Sequence, residues 1–227
     1  PFHCSHCSAK RRAGAQELST QEWFDVIDQL HAMGTASIGL TGGEPMTRPD
    51  IDQIVEHAAK RASTILFTTG LNLTPERART FKQRGLFAPA ISLDFTDPDK
   101  HNAFRGSPDS FDTAINAMRA AADAGLHVIA MFVVFKENLD KSYIFDMCRL
   151  VQSHGAAEVR LLEPVRAGNV LDADDAMFYS DADRTELIRI YHAGNRRRHF
   201  PKLTTYLHIE SKRKYGCGAG IFHSYVS

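Results

Sequence analysis

The chain has 227 residues, 43% hydrophobic and 24% charged, which is an ordinary composition for a water-soluble globular protein long enough to bury a sizeable core. Its 27 basic and 27 acidic residues cancel, so no global field recruits nucleic acid or an anionic membrane, and its apolar runs, such as 128–135, are strand-sized and too short to span a bilayer. Four cysteines in so large a chain form no regular disulfide framework and point to a reduced, cytoplasmic setting, where a C-x-x-C pair means a metal or a redox dithiol.

In chain order, Cys4-Ser5-His6-Cys7 opens the sequence in a loop. A helix is predicted from Ser19 to Met33: Ser19 and Glu22 form a capping box, Trp23, Ile27 and Leu30 share a face, and Gly34 stops it. A short buried strand over 36–40 ends at Thr41-Gly42-Gly43-Glu44-Pro45. Helices are then predicted over 50–62, from the Thr74 cap to Arg84, from a Ser107 or Ser110 cap to Gly125, and over 139–153. The strands between them cover 64–68, 90–93, 127–135 and 158–162, giving five in all. After Gly168 the chain turns acidic, with a helix over 184–192, three arginines at 196–198 and strand-like pieces around Gly216-Cys217-Gly218-Ala219-Gly220. The arginines and Lys212-Arg213-Lys214 lack an aromatic stacking platform and read as solvated charge.

Strands alternating with amphipathic helices imply a parallel sheet with right-handed crossovers, either doubly wound or a full or partial β/α barrel. In both, ligands sit at the C-terminal strand ends. Gly42-Gly43-Glu44, Thr68-Thr69-Gly70, Ser92-Leu93-Asp94 and Leu162-Glu163-Pro164 all fall there, which argues for one site.

The chemistry can be read residue by residue. Cys4 and Cys7, two residues apart, can grip irons of one cube or one zinc, and a redox dithiol is a further option. Interleaved His3 and His6 keep zinc open, although adjacent His-Cys pairs would struggle to place four ligands on one tetrahedral ion. Lys10-Arg11-Arg12 would offset cluster charge. Gly42 and Gly43 let a ligand approach the backbone, and Glu44 beside them can pair with an ammonium group. Cys148, in a helix near Ile144 and Val151, reads as a small buried hydrophobe.

Taken together, the cysteine loop, the helix and the strand ending in Gly-Gly-Glu-Pro resemble the radical S-adenosylmethionine (radical SAM) enzymes. Cys4 and Cys7 match the last two cysteines of that family's C-x-x-x-C-x-x-C loop. The resemblance implies a partial parallel β/α barrel over residues 1–200, lacking its first strand, and the start of a small SPASM or twitch-like extension over 201–227. It also implies that the chain is a piece of a longer protein, with the third cluster cysteine one residue before Pro1. The implied cofactors are a [4Fe-4S] cluster, S-adenosylmethionine and an auxiliary iron–sulfur cluster. By the same resemblance, Cys4, Cys7 and Cys217 are metal ligands. His6 lies near the adenine, and Gly42, Gly43 and Glu44 hold the methionine amino group. Thr69, Ser92, Asp94 and Arg105 contact the rest of the cosubstrate, and Leu162 packs on the adenine. The implied reaction is reductive cleavage of S-adenosylmethionine to a 5′-deoxyadenosyl radical that abstracts hydrogen from a substrate, with a reductase, flavodoxin or ferredoxin as electron donor. A peptide or protein is the expected substrate; a haem precursor, another small molecule, or a non-enzymatic zinc-binding module are the alternatives.

Overall fold

The computed structural model describes residues 2–7 and 16–205. Ser19 opens α1 (Thr20–Ala32) as expected: its hydroxyl accepts from the Glu22 amide, and the Glu22 carboxylate accepts from the Ser19 amide. There follow β1 (Ser37–Leu40), α2 (Ile51–Ala59), β2 (Ser63–Thr68), α3 (Pro75–Gln83) and β3 (Ala88–Ser92). The chain continues through α4 (Pro98–Arg105), α5 (Ser110–Asp123), β4 (Ile129–Val133), α6 (Lys141–Gln152), β5 (Glu158–Leu162), α7 (Asp181–Asn195) and β6 (Lys202–Thr205).

The six strands pair in parallel in the order β1-β2-β3-β4-β5-β6. A doubly wound sheet reverses its order at a switch point; this one never does. Crossovers of the usual hand then all fall on one face, and the sheet is an open, partial β/α barrel.

Alternation along each strand splits the side chains between two faces. The helix-covered face carries the main core, where Leu66, Ile91, Phe132 and Leu161 from the sheet meet Phe81, Met118, Met147 and Leu187 from the helices. The opposite, concave face carries a thinner apolar lining of Ala88, Ala90 and Ile129, flanked by half-buried Ile65, Phe67 and Met131. Cys148 is fully buried in the main core, and burial pushes its thiol up to about 12. Among the described residues, no helix is long and apolar enough to cross a membrane.

Two elements go beyond the five-strand pattern. β6 adds a sixth strand through Leu203, which is fully buried. α4 occupies what reads in sequence as a loop. Its Asp97 cap accepts from the Lys100 amide, Pro98 stands in its first turn, and Gly106 closes it. Neither Ser107 nor Ser110 caps α5. Ser110 is that helix's first residue, and the Asn102 side chain of α4 accepts from both the Ser110 hydroxyl and the Phe111 amide at 2.9 Å. The cap therefore comes from the preceding helix.

Candidate active site

The C-terminal strand ends gather along one edge of the sheet. After β1, the chain passes through Gly42 and Gly43 to Glu44, and among the described residues nothing beyond the adjoining chain lies within 4 Å of where a Cβ would stand on either glycine. The backbone here is open to close approach by a ligand. The Glu44 carboxylate accepts four hydrogen bonds. One oxygen takes the Met46 amide at 3.1 Å and the Thr68 hydroxyl at 2.6 Å; the other takes the Thr69 amide at 2.7 Å and the Thr69 hydroxyl at 2.6 Å. The end of β2 thus fixes the carboxylate that follows β1, in the register where Leu40 lies beside Leu66. Gly70 continues that turn with φ +91, and a Cβ there would meet Ala117 Cβ at 2.8 Å and Thr113 O at 3.1 Å.

The cysteine loop is held by partners distant in sequence. The His3 amide donates to Arg105 O at 3.1 Å, and the Ser5 amide donates to Phe104 O at 3.2 Å. The Asn169 side chain donates to Cys4 O at 3.1 Å, and the Asn169 amide donates to Cys7 O at 2.9 Å. Gly106, at φ +63, is required by this docking, because a Cβ there would stand 3.0 Å from His3 O. His6 stacks on Phe104 with ring centres 4.4 Å apart and meets Phe135 edge-on at 6.2 Å. Among the described residues its buried Nδ1 has no hydrogen-bond partner, and burial pushes the ring below its ordinary histidine value.

Asp94 and Arg105 face each other. Arg105 Nε donates to Asp94 Oδ2 at 2.8 Å, and Nη2 donates to the same oxygen. The carboxylate's other oxygen accepts from the Val133 amide at 3.2 Å, and the Asp94 amide donates to His101 Nδ1 at 3.2 Å. Arg105 Nη1 points at Cys4 Sγ, 3.7 Å away. Asp94 is wholly buried and the Arg105 side chain is 8% exposed. Burial holds His101 down to about 4. Ser92 lies at the end of β3 beside Met131, and Leu162 lies at the end of β5 beside Val133, one step nearer the mouth.

The structure therefore brings Cys4, His6, Asp94 and Arg105 into one connected group, and Glu44 with Thr69 into another on the same edge. Cys217 lies outside the described residues. Thr68, His101, Phe104, Phe135 and Asn169 join the site without having been singled out as site residues. Thr68 adjoins the recognised Thr69. Asn169 sits 162 residues beyond Cys7 with no local pattern to mark it.

The donor set suits an iron–sulfur cluster better than zinc. Among the described residues, no three His, Cys, Asp or Glu side chains gather around one point. The His6 ring is engaged in stacking instead. Two cysteines on one docked loop can each bind an iron of a cube. Among the described residues, the buried His6 Nδ1 has no hydrogen-bond partner and the Gly42-Gly43 backbone is uncovered, so both leave polar groups that a ligand could meet.

The chain resembles several solved structures. It superposes on Streptococcus suis SuiB bound to its precursor peptide SuiA with a TM-score of 0.75 and 16% identity, covering 90% of this chain and 46% of SuiB. It superposes on methylornithine synthase (PylB) with a TM-score of 0.67 and 16% identity over 90% of this chain and 60% of that one. The match to HydG, a maturase of the [FeFe]-hydrogenase, has a TM-score of 0.66 and 17% identity over 84% of this chain and 46% of HydG. The chain thus spans about half the length of SuiB and HydG. At these identities the likeness is one of fold. Residues 1–148 match the radical SAM superfamily itself, and the chain belongs to that superfamily, whose enzymes use S-adenosylmethionine and an iron–sulfur cluster.

Proposed function

We propose that this chain forms the catalytic barrel of a radical SAM enzyme that modifies a peptide. The observation that carries the reading is the Glu44 carboxylate, fixed by four donors beside an uncovered Gly-Gly backbone, at the sheet edge where the cysteine loop docks. When bound, the cluster supplies the electron for reductive cleavage of S-adenosylmethionine. Cys4 and Cys7 hold that cluster in this reading. Glu44, Gly42 and Gly43 receive the ammonium end of the cosubstrate, and Thr69 keeps the carboxylate turned toward it. His6 and Leu162 flank the adenine, and Ser92 contributes a hydroxyl at the strand end. The concave lining of Phe67, Ala90, Ile129 and Met131 keeps water from the reacting atoms.

Support for a peptide substrate is the likeness to SuiB, which was solved with a precursor peptide, and the Cys217-Gly218-Ala219-Gly220 segment, read as a ligand to an auxiliary cluster. A low-potential one-electron donor of the flavodoxin or ferredoxin class would supply the electron. The test is anaerobic reconstitution of the full-length protein, followed by chromatography for 5′-deoxyadenosine and mass spectrometry of peptides encoded beside its gene. The expected result is nucleoside release and a mass change in one peptide. Release with no mass change in any peptide removes the substrate assignment, and no release removes the activity.

A further inference from the structure

Among the described residues, the Arg105 side chain makes three directed contacts. Nε and Nη2 engage Asp94 Oδ2, and Nη1 faces Cys4 Sγ at 3.7 Å. The guanidinium stands between the carboxylate and the sulfur. The carboxylate is itself anchored: Val133 of β4 donates to its second oxygen, and its own amide is held by His101 of α4. The arginine's backbone carbonyl meanwhile accepts from His3, one residue before Cys4. The backbone of this residue thus holds His3 while its side chain faces the adjacent Cys4. With the pair almost wholly buried, neither charge is screened by solvent as a surface pair would be.

We propose that the Asp94–Arg105 pair sets the reduction potential of the iron–sulfur cluster by aiming a charged N–H donor at the Cys4 sulfur. The inference rests on the reading of Cys4 as a cluster ligand. Reduction adds one negative charge to the cluster. A nearby cation and an N–H bond to a ligating sulfur favour the reduced form and raise the potential, whereas a nearby anion lowers it. The pair places its positive member against the sulfur and its negative member behind it. Arg105 is then a positioning residue acting through Cys4, and Asp94 acts through Arg105. The two members of one ion pair consequently push the potential in opposite directions.

That opposition supplies the test. The full-length protein and its Arg105→Leu, Arg105→Lys and Asp94→Asn variants are reconstituted anaerobically and assayed for iron and sulfide. Each is then titrated potentiometrically by electron paramagnetic resonance, without S-adenosylmethionine. Arg105→Leu is expected to move the midpoint to more negative values. Asp94→Asn, which leaves the guanidinium uncompensated, is expected to move it to less negative values. Arg105→Lys keeps the charge and loses the fork, so its shift is negative and smaller; it decides the matter if the leucine variant assembles no cluster. A merely structural pair would lower cluster content in all three and leave the midpoint of the remainder unchanged. Shifts of one sign, no shift, or a shift seen only with the cosubstrate present overturn the inference alone. A wild-type protein that assembles no cluster overturns the reading beneath it as well.

Discussion

At the scale of single residues, Glu44 accepts from two backbone donors that cannot turn around. Both Glu44 oxygens receive a backbone N–H, from Met46 on one side and Thr69 on the other. A glutamine at this position must set its NH2 against one of them, whichever way it flips. Glu44→Gln is therefore expected to cost about 1–3 kcal/mol of stability. It should also weaken S-adenosylmethionine binding by about 10- to 100-fold, the worth of one charge-assisted hydrogen bond. Denaturant titration and equilibrium dialysis with labelled cosubstrate read the two effects separately. His101 gives a pH dependence. Its Nδ1 accepts the Asp94 amide, so charging the ring would place a proton where a donor already points. Burial dominates, Asp94 opposes it, and Arg105 and His6 reinforce it, bringing the folded value to about 4 from the ordinary 6.5. Between those values the unfolded chain binds more protons, so stability is full above about pH 6.5 and falls as pH drops toward 4, by up to about 3 kcal/mol. His101→Asn, measured by thermal unfolding across that window, should flatten this part of the profile.

At the scale of elements, what could be read from the sequence follows where apolar periodicity reaches. The capping box at Ser19 and the Thr74–Pro75 start carry local signals and are found in place, and all five expected strands form, although β3 ends at Ser92 and β4 at Val133, one and two residues before the expected ends. α4 carries cap signals too, in Asp97-Pro98 and Gly106, but its buried residues are His101 and Arg105. A helix that turns polar groups inward shows no hydrophobic stripe, and both of those groups belong to the candidate site. β6 has four residues and one buried leucine, too little for alternation to register. Asn169 was illegible for a different reason: its partners, Cys4 and Cys7, are set by tertiary docking alone. Packing between elements yields a further expectation. Gly70 joins β2 to the face of α5, where Ala117, Thr113 and Ala114 leave no room for a Cβ and the φ of +91 disfavours one. Gly70→Ala should cost about 2–4 kcal/mol from overpacking and backbone strain together. It should also displace Thr69 from Glu44, seen as a lower denaturation midpoint together with weaker cosubstrate binding.

At the scale of the whole molecule, the sheet divides the work between its faces. Phe132, fully buried on the helix side, belongs to the mass of the core; Phe67, half-buried on the concave side, belongs to the thin lining. Phe132→Ala should therefore cost about 3–5 kcal/mol. Phe67→Ala should cost clearly less, yet impair turnover more than its loss of stability explains, as unfolding curves and nucleoside release would show.

One contact pattern also governs when the site comes into being. The cysteine loop is pinned by Phe104 and Arg105, about a hundred residues away, and by Asn169, 165 residues from Cys4. Closing loops of that length is unfavourable until the sheet that carries those anchors already exists. The loop is therefore expected to lock late, after β5 has joined β4. Under the proposed function, metal capture would be a finishing step on a folded barrel, not the seed around which the barrel collects. Pulse-labelled hydrogen exchange during refolding should show protection at the strand amides before it appears at Ser5 and Asn169.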